Sequence, residues 1–173
     1  MLEVAILGFL KEAPLHGYEL KQRIAMLTGH AYRVSDGALY PAILRMEQRG
    51  WIVRHQERGE AAAPRQVLTL TPDGEQELLR LLRNPSELEI SNSSQFNVLL
   101  AFLKYLQPAE QRAVLKRRLE FLEGARSFFQ AGGKPVKLVE EADPFRRGML
   151  QMAISSSRKE KAWLREMIEV LGE

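Results

Sequence analysis

Cysteine is absent from this 173-residue chain, which excludes a disulfide framework, a thiolate metal site and a cysteine nucleophile. Histidine is scarce: His16, His30 and His55 stand far apart, without the spacing that a metal site needs. No nucleophile–base pair, phosphate-cradling glycine loop or metal-ligand motif is present, so neither catalysis, a metal nor a cofactor is expected. The serine run Ser155 to Ser157 has no histidine near it in sequence. No apolar run approaches the roughly 20 residues that span a bilayer. The N-terminal stretch MLEVAILGFLKEAPLHG carries Glu3 and lacks a basic start and a small-residue cleavage site, against a signal peptide. A soluble cytoplasmic protein is expected.

Charge of one sign is also in short supply. Lys and Arg total 25 against 22 Asp and Glu, a net charge of only +3. Its distribution says more: between His16 and Arg65 eight basic residues face five acidic ones, a modest excess of the kind that favours nucleic acid. The 45% hydrophobic content is enough for a real core.

Periodicity then orders the chain. Leu2, Ile6, Leu7 and Leu10 share a stripe of a first helix that Ala13-Pro14 ends, and Leu20, Ile24 and Leu27 share a face of a second, from about Gly17 to Leu27. A third helix is capped by Ser35 and ends at Gly50, where glycine suits a left-handed C-cap. "WIVRHQE" and "RQVLTLT" are short β-prone runs joined by "RGEAAAP", a hairpin with a long loop. Thr71-Pro72 opens a fourth helix with acids in its first turn. Three helices, a hairpin and a fourth helix are the order of a winged helix-turn-helix. "NPSELEISNSS" reads as a linker, so the expected domains are residues 1–83, a linker at 84–93 and an all-helical dimerisation domain at 94–173.

The third helix carries the candidate chemistry. Leu39, Ile43 and Met46 fall on one face, toward a core, while Gly37, Ala38, Pro41, Arg45 and Gln48 collect on the other. In a DNA major groove, Gly37 and Ala38 permit close approach, Ala38 and Pro41 offer contacts to thymine methyls, and Arg45 or Gln48 reads base edges. Tyr40 can reach a phosphate. Tyr18 and Lys21, early in the second helix, lie where such folds touch the backbone, and Arg58 and Arg65 flank the wing loop. His16 is expected to order the turn before the second helix. The alternative is that Gly37 and Pro41 only mark an irregular helix start with Tyr40 in the core, and that the arginines are solvated hairpin charges. Pro41 lies deep for a first-turn proline if Ser35 is the cap, so the helix starts nearer Ala38 or its first turn is irregular.

The C-terminal half ends in a helix of nearly eight turns, "PFRRGMLQMAISSSRKEKAWLREMIEVL". Leu150, Ile154, Trp163, Leu164, Met167, Ile168 and Leu171 give it more apolar stripe than one small domain covers, which points to a second copy of the chain. Phe96, Phe102 and Trp163 are either core or the lining of a space for a small hydrophobic or aromatic effector.

"PLHGYEL", "SDGALYPAILRMEQRGWI" and "LTLTPDGEQEL", in this order and spacing, resemble the signature of the PadR family of bacterial transcription regulators over residues 1 to about 83. "FLKYL", "PFRRGML" and "KAWLREMIEVL" are similar to the virulence-activator-type helical domain of its longer members. The resemblance implies a DNA-binding winged helix, homodimeric through its C-terminal helices, usually a repressor and sometimes an activator. By position it implies DNA-facing roles for Tyr18, Ser35, Gly37, Tyr40, Pro41 and Arg65. Leu68 departs from the family, which often has tyrosine there. The expected function is a sequence-specific transcriptional regulator on double-stranded DNA with a pseudo-palindromic operator. The rival is a winged-helix protein-interaction module without DNA binding.

Overall fold

The computed structural model describes residues 1–29, 34–57, 65–124, 130–131 and 134–172. They form two compact units, Met1–Gln107 and Pro108–Glu173.

In the first unit, α1 (Leu2–Glu12) is apolar on most sides, and Val4, Ala5, Ile6, Leu7 and Leu10 are all buried. It is the central element, and α2 (Gly17–Leu27), α3 (Asp36–Gln48) and α4 (Pro72–Arg83) all form around it. Leu39, Ala42, Ile43 and Met46 bury the inner face of α3, as its periodicity predicts. The end of α3 is a Schellman closure: Trp51 N–H donates to the Met46 carbonyl (2.9 Å) and Gly50 N–H to the Glu47 carbonyl (3.0 Å). Gly50 adopts φ 74° there, the left-handed conformation that glycine takes without strain.

The hairpin pairs β2 (Ile52–Glu57) with β3 (Arg65–Leu70) in antiparallel register, Ile52 opposite Leu70 and Glu57 opposite Arg65. A two-residue strand, β1 (Leu15–His16), adds to the other edge of β3, with Leu15 opposite Leu68. Leu68 is buried between these strands; here the position serves packing. Thr71 caps α4, accepting from Gly74 N at 3.0 Å while its hydroxyl donates to the Gly50 carbonyl at 2.6 Å. One side chain thus ties the end of α3 to the start of α4.

The expected linker is occupied instead. Residues 84–93 contain α5 (Glu87–Ser91), closed by a capping box between Ser86 and Glu89, in which each residue satisfies the other's backbone donor. The following α6 (Ser93–Phe102) and a 3₁₀ turn (Leu103–Tyr105) belong to the first unit. Phe102 packs edge-on against Phe9, with ring centroids 5.1 Å apart, and the surface of α1 at Gly8 fits against the same ring. Phe96 and Phe102 are core side chains. The division between units falls at Gln107–Pro108 because α6 spends its apolar face on α1.

The second unit pairs α7 (Pro108–Gly124) with α8 (Pro144–Val170), and a short ladder, β4 (Gln130–Ala131) with β5 (Lys134–Pro135), lies between them in sequence. Arg112 Nε donates to the Ile168 carbonyl at 3.1 Å. Arg118 is only 1% exposed; its guanidinium pairs with Glu160 at 2.7 Å and covers the Phe121 ring. A buried cation keeps this position only when its charge and donors are engaged.

The apolar surface of α8 differs from the expected one. Leu150 and Leu164 are buried within the chain, so they leave nothing for a second copy to cover. Met167, Ile168 and Leu171 are half-buried, and Ile154 is exposed. Phe145, Met149, Met152, Trp163 and Val170, by contrast, are exposed, Phe145 at 83%. At about 100° per residue these five and Met167 fall in one sector about 60° wide. Sequence periodicity merged two stripes: one covered within the protomer, one uncovered. No helix of the described residues is long and apolar enough to cross a membrane.

Candidate nucleic-acid interface

α3 is presented outward by its own amphipathicity. With Leu39, Ile43 and Met46 in the core, Gly37, Pro41, Arg45 and Gln48 are exposed and Ala38 is partly so. Tyr40 is 49% exposed, which removes the reading that packs it in the core. Leu44 was absent from the expected face. It is 53% exposed and lies about 60° from Pro41 in rotation about the helix, toward Tyr40, so the outer surface has an aliphatic flank. A leucine in an amphipathic helix reads as core by type; only its angular position, opposite Leu39 and Met46, gives it away. Among the described residues Arg45 has no side-chain partner.

Ser35 is the N-cap by backbone, extended at φ −74° and ψ 156°, but its side chain makes no cap hydrogen bond. Its carbonyl accepts from both Ala38 N and Leu39 N, each at 3.0 Å. The helix therefore starts at Asp36 with a doubly bonded first turn, and Pro41 is a true interior residue. Proline has no N–H for the carbonyl four residues earlier; that carbonyl belongs to Gly37, on the same exposed face.

The start of α2 lies beside this face. His16 is its N-cap; its backbone N–H donates to Glu19 Oε2 at 2.9 Å, and ring Nδ1 lies 2.9 Å from the Gln66 carbonyl. Because that carbonyl only accepts, Nδ1 carries the proton. The ring stacks on Tyr18, centroids 5.6 Å apart. His16, Gly17, Tyr18, Tyr40 and Gln66 line one open recess, so the two tyrosines read separately from sequence edge the same hollow. Lys21 is not an unpaired cation: its ammonium pairs with Asp36 of α3 at 2.7 Å.

Of the wing residues, Arg65 opens β3 with its backbone opposite Glu57, and Arg58 lies outside the described residues. A cation without an assigned role in the sequence is engaged by three hydrogen bonds. Arg54 of β2 donates from Nε and a terminal nitrogen to the two oxygens of Glu47 in α3, both at 2.7 Å. Its other terminal nitrogen donates to Gln66 Oε1, also at 2.7 Å. Glu47 and Arg54 are seven residues apart across a helix end and a turn, a separation at which no helical or strand periodicity flags a pair.

Residues 6–80 match the model of the Transcriptional regulator PadR-like family. Over 83 residues the chain is 37% identical to transcriptional regulator Rv3488 of Mycobacterium tuberculosis, spanning 48% of this chain and 74% of that one. It is 22% identical over 179 residues to the negative transcriptional regulator PadR of Bacillus subtilis, covering 99% of this chain and 97% of the relative. The crystal structure of Bacillus subtilis PadR in complex with operator DNA aligns with 98% of this chain and 97% of that one, at 21% identity and a TM-score of 0.47. The family model covers the segment that holds the helices, the hairpin and the recess just described, and with the mycobacterial relative it shows that the chain belongs to the PadR-like family of transcriptional regulators.

Proposed function

We propose that this regulator binds double-stranded DNA as a homodimer and represses transcription from a pseudo-palindromic operator. The observation that carries the reading is the outer face of α3. Small Gly37 and Ala38, apolar Pro41 and Leu44, and donor-bearing Arg45 and Gln48 occupy successive turns, with Tyr40 and Tyr18 at one flank. Inserted in a major groove, the small residues let the backbone come close, the apolar ones meet thymine methyls, and Arg45 reads guanine or Gln48 adenine. Ser35, the tyrosines and the wing arginines Arg58 and Arg65 take phosphate contacts that fix the register. The exposed α8 stripe supports self-association, which sets two α3 helices about 34 Å apart on one DNA face. Full-length similarity to a negative regulator supports repression.

The test is a titration of the protein against duplexes tiled across its own upstream region, at two salt concentrations, read by fluorescence anisotropy. Saturable binding to one duplex that weakens with salt is expected. A dimer that discriminates no duplex at either salt points to the protein-interaction alternative. Met149→Glu, on the uncovered stripe, is expected to give monomers in sedimentation and a loss of operator affinity.

The Lys21–Asp36 pair yields a separate expectation. Asp36 is exposed and cancels the one described cation of α2 that faces α3. Asp36→Asn releases Lys21 for phosphate, so nonspecific affinity is expected to rise several-fold, with a log K versus log salt slope steeper by about 0.9. Because the pair is exposed, stability should change by less than about 1 kcal/mol. An unchanged slope would place Lys21 away from the DNA.

A further inference from the structure

We infer that Arg54 is a positioning residue for DNA readout: it clamps the last turn of α3 to both wing strands and sets the angle at which the α3 face meets the groove. This rests on the DNA-binding reading above.

An arginine on a wing strand is ordinarily a phosphate contact, and the geometry here argues otherwise. By strand register Arg54 stands opposite Leu68, two residues from Ile52 on the same face; both neighbours are buried. The side chain thus rises from the covered face of the hairpin, toward α3. Together with Gly17, Tyr40, Ile43, Gln66 and Leu68 it lines a small recess at the junction of helix and sheet.

The guanidinium fork is matched to what it meets. Nε and one terminal nitrogen engage both Glu47 oxygens, and the other terminal nitrogen engages Gln66. A bidentate arginine–carboxylate pair is planar and directional, so it fixes orientation as well as distance. Glu47 is only 20% exposed and Arg54 36%, which screens the pair less than a fully solvated one. The carboxylate also cancels the charge that a phosphate contact needs.

The clamp joins four elements. Gln66, the residue that accepts from Arg54 with its side chain, takes the His16 ring on its backbone carbonyl. Glu47, Arg54, Gln66 and His16 therefore link the end of α3, both wing strands and the start of α2 in one chain of hydrogen bonds. The Schellman closure at Gly50 holds the first residues after α3. Beyond that turn, no other ion pair among the described residues ties α3 to β2.

The experiment measures full-length wild type, Arg54→Ala, Arg54→Lys and Glu47→Ala against the operator duplex and a scrambled duplex over a salt series, with thermal melts in parallel. For Arg54→Ala we expect about a tenfold loss of operator affinity, with scrambled-duplex affinity and salt slope unchanged. Lysine keeps the charge and loses the fork, so Arg54→Lys should fail to restore the loss. Glu47→Ala should also weaken operator binding, and the Arg54→Ala/Glu47→Ala combination should lose no more than either alone. The opposite pattern overturns the proposal: a slope shallower by about 0.9, rescue by lysine, and tighter binding by Glu47→Ala mark a phosphate contact. Unchanged operator affinity in Arg54→Ala overturns it as well. If Arg54→Ala fails to fold, Arg54→Gln is judged by the same criteria. Wild type that does not distinguish the two duplexes refutes the DNA-binding reading itself, a result separate from any behaviour of the variants.

Discussion

Gly74→Ala is expected to destroy the cooperative fold of the first unit, at a cost above about 4 kcal/mol. A Cβ at this position would lie 2.0 Å from the Trp51 carbonyl oxygen and 2.8 Å from the Trp51 carbonyl carbon and Leu70 Cδ1. Two of these are backbone atoms, which no rotamer change can move aside. The Trp51 carbonyl is itself held, accepting from Thr71 N at 3.0 Å. Thr71 is held in turn by its bonds to Gly74 N and the Gly50 carbonyl. Relief requires pulling α4 off the hairpin, and with it the buried Leu78 and Leu82, each a core side chain whose exposure costs about 2 kcal/mol. Thermal unfolding of the purified variant, or its recovery in the soluble fraction, measures this. Gly124→Ala is the control: nothing lies within 4 Å of its built Cβ, and no loss is expected. Gly8→Ala should fall between, because the three atoms nearest its Cβ all belong to the Phe102 ring, the closest at 2.6 Å; a side chain can shift, though this one is fully buried. A Gly74→Ala variant with a wild-type melt would mean that α4 and the hairpin slide past each other freely.

How far this was legible in the sequence depends on whether a feature has a period. α1 to α4, the hairpin and α8 recur at helical or strand spacing over six residues or more, and their existence follows from apolar pattern and caps. β1 has two residues, too few for any period, and exists only because β3 offers it an edge. α6 is apolar nearly all round, which predicts burial but not the partner. That the partner is α1 depends on Gly8 and Phe9 leaving room for Phe102. Angles about the axis identify which residues of α3 are exposed, apart from Leu44, which its type assigns to a core. The Arg54–Glu47 clamp crosses element types, and Arg118–Glu160 joins residues far apart in sequence. Local patterning carries no trace of either. The two α8 stripes were confounded for a different reason. Covered and uncovered apolar residues look alike in sequence until the packing of α7 chooses among them.

Pro41→Ala is expected to make the protein more stable and a poorer reader of its operator. Pro41 is exposed and lies inside α3, which begins at Asp36. It withholds a hydrogen bond from the Gly37 carbonyl, and its ring crowds that carbonyl, a defect worth about 3 kcal/mol in a regular helix. Part of this is offset because proline also restricts the unfolded chain, by about 0.4–1 kcal/mol. Pro41 lies in the second turn of α3, and the frayed end of a helix tolerates the defect better than its middle. A net gain of about 1–2 kcal/mol is expected, or several degrees in Tm for a chain of this length. Pro41 is exposed, so core packing does not account for keeping the proline. What it supplies is a rigid apolar ledge between Gly37 and Leu44 on the outward face. It also leaves the Gly37 carbonyl on that face without its helical partner. Alanine shortens the ledge and ties the carbonyl back into the helix. Operator affinity should then fall while affinity for a scrambled duplex holds, because a backbone contact to phosphate does not depend on either feature. Melting curves and paired titrations measure the two halves independently. A variant that gains stability and binds as before would show that the ledge lies outside the groove, and that Arg45 and Gln48 read the operator without it.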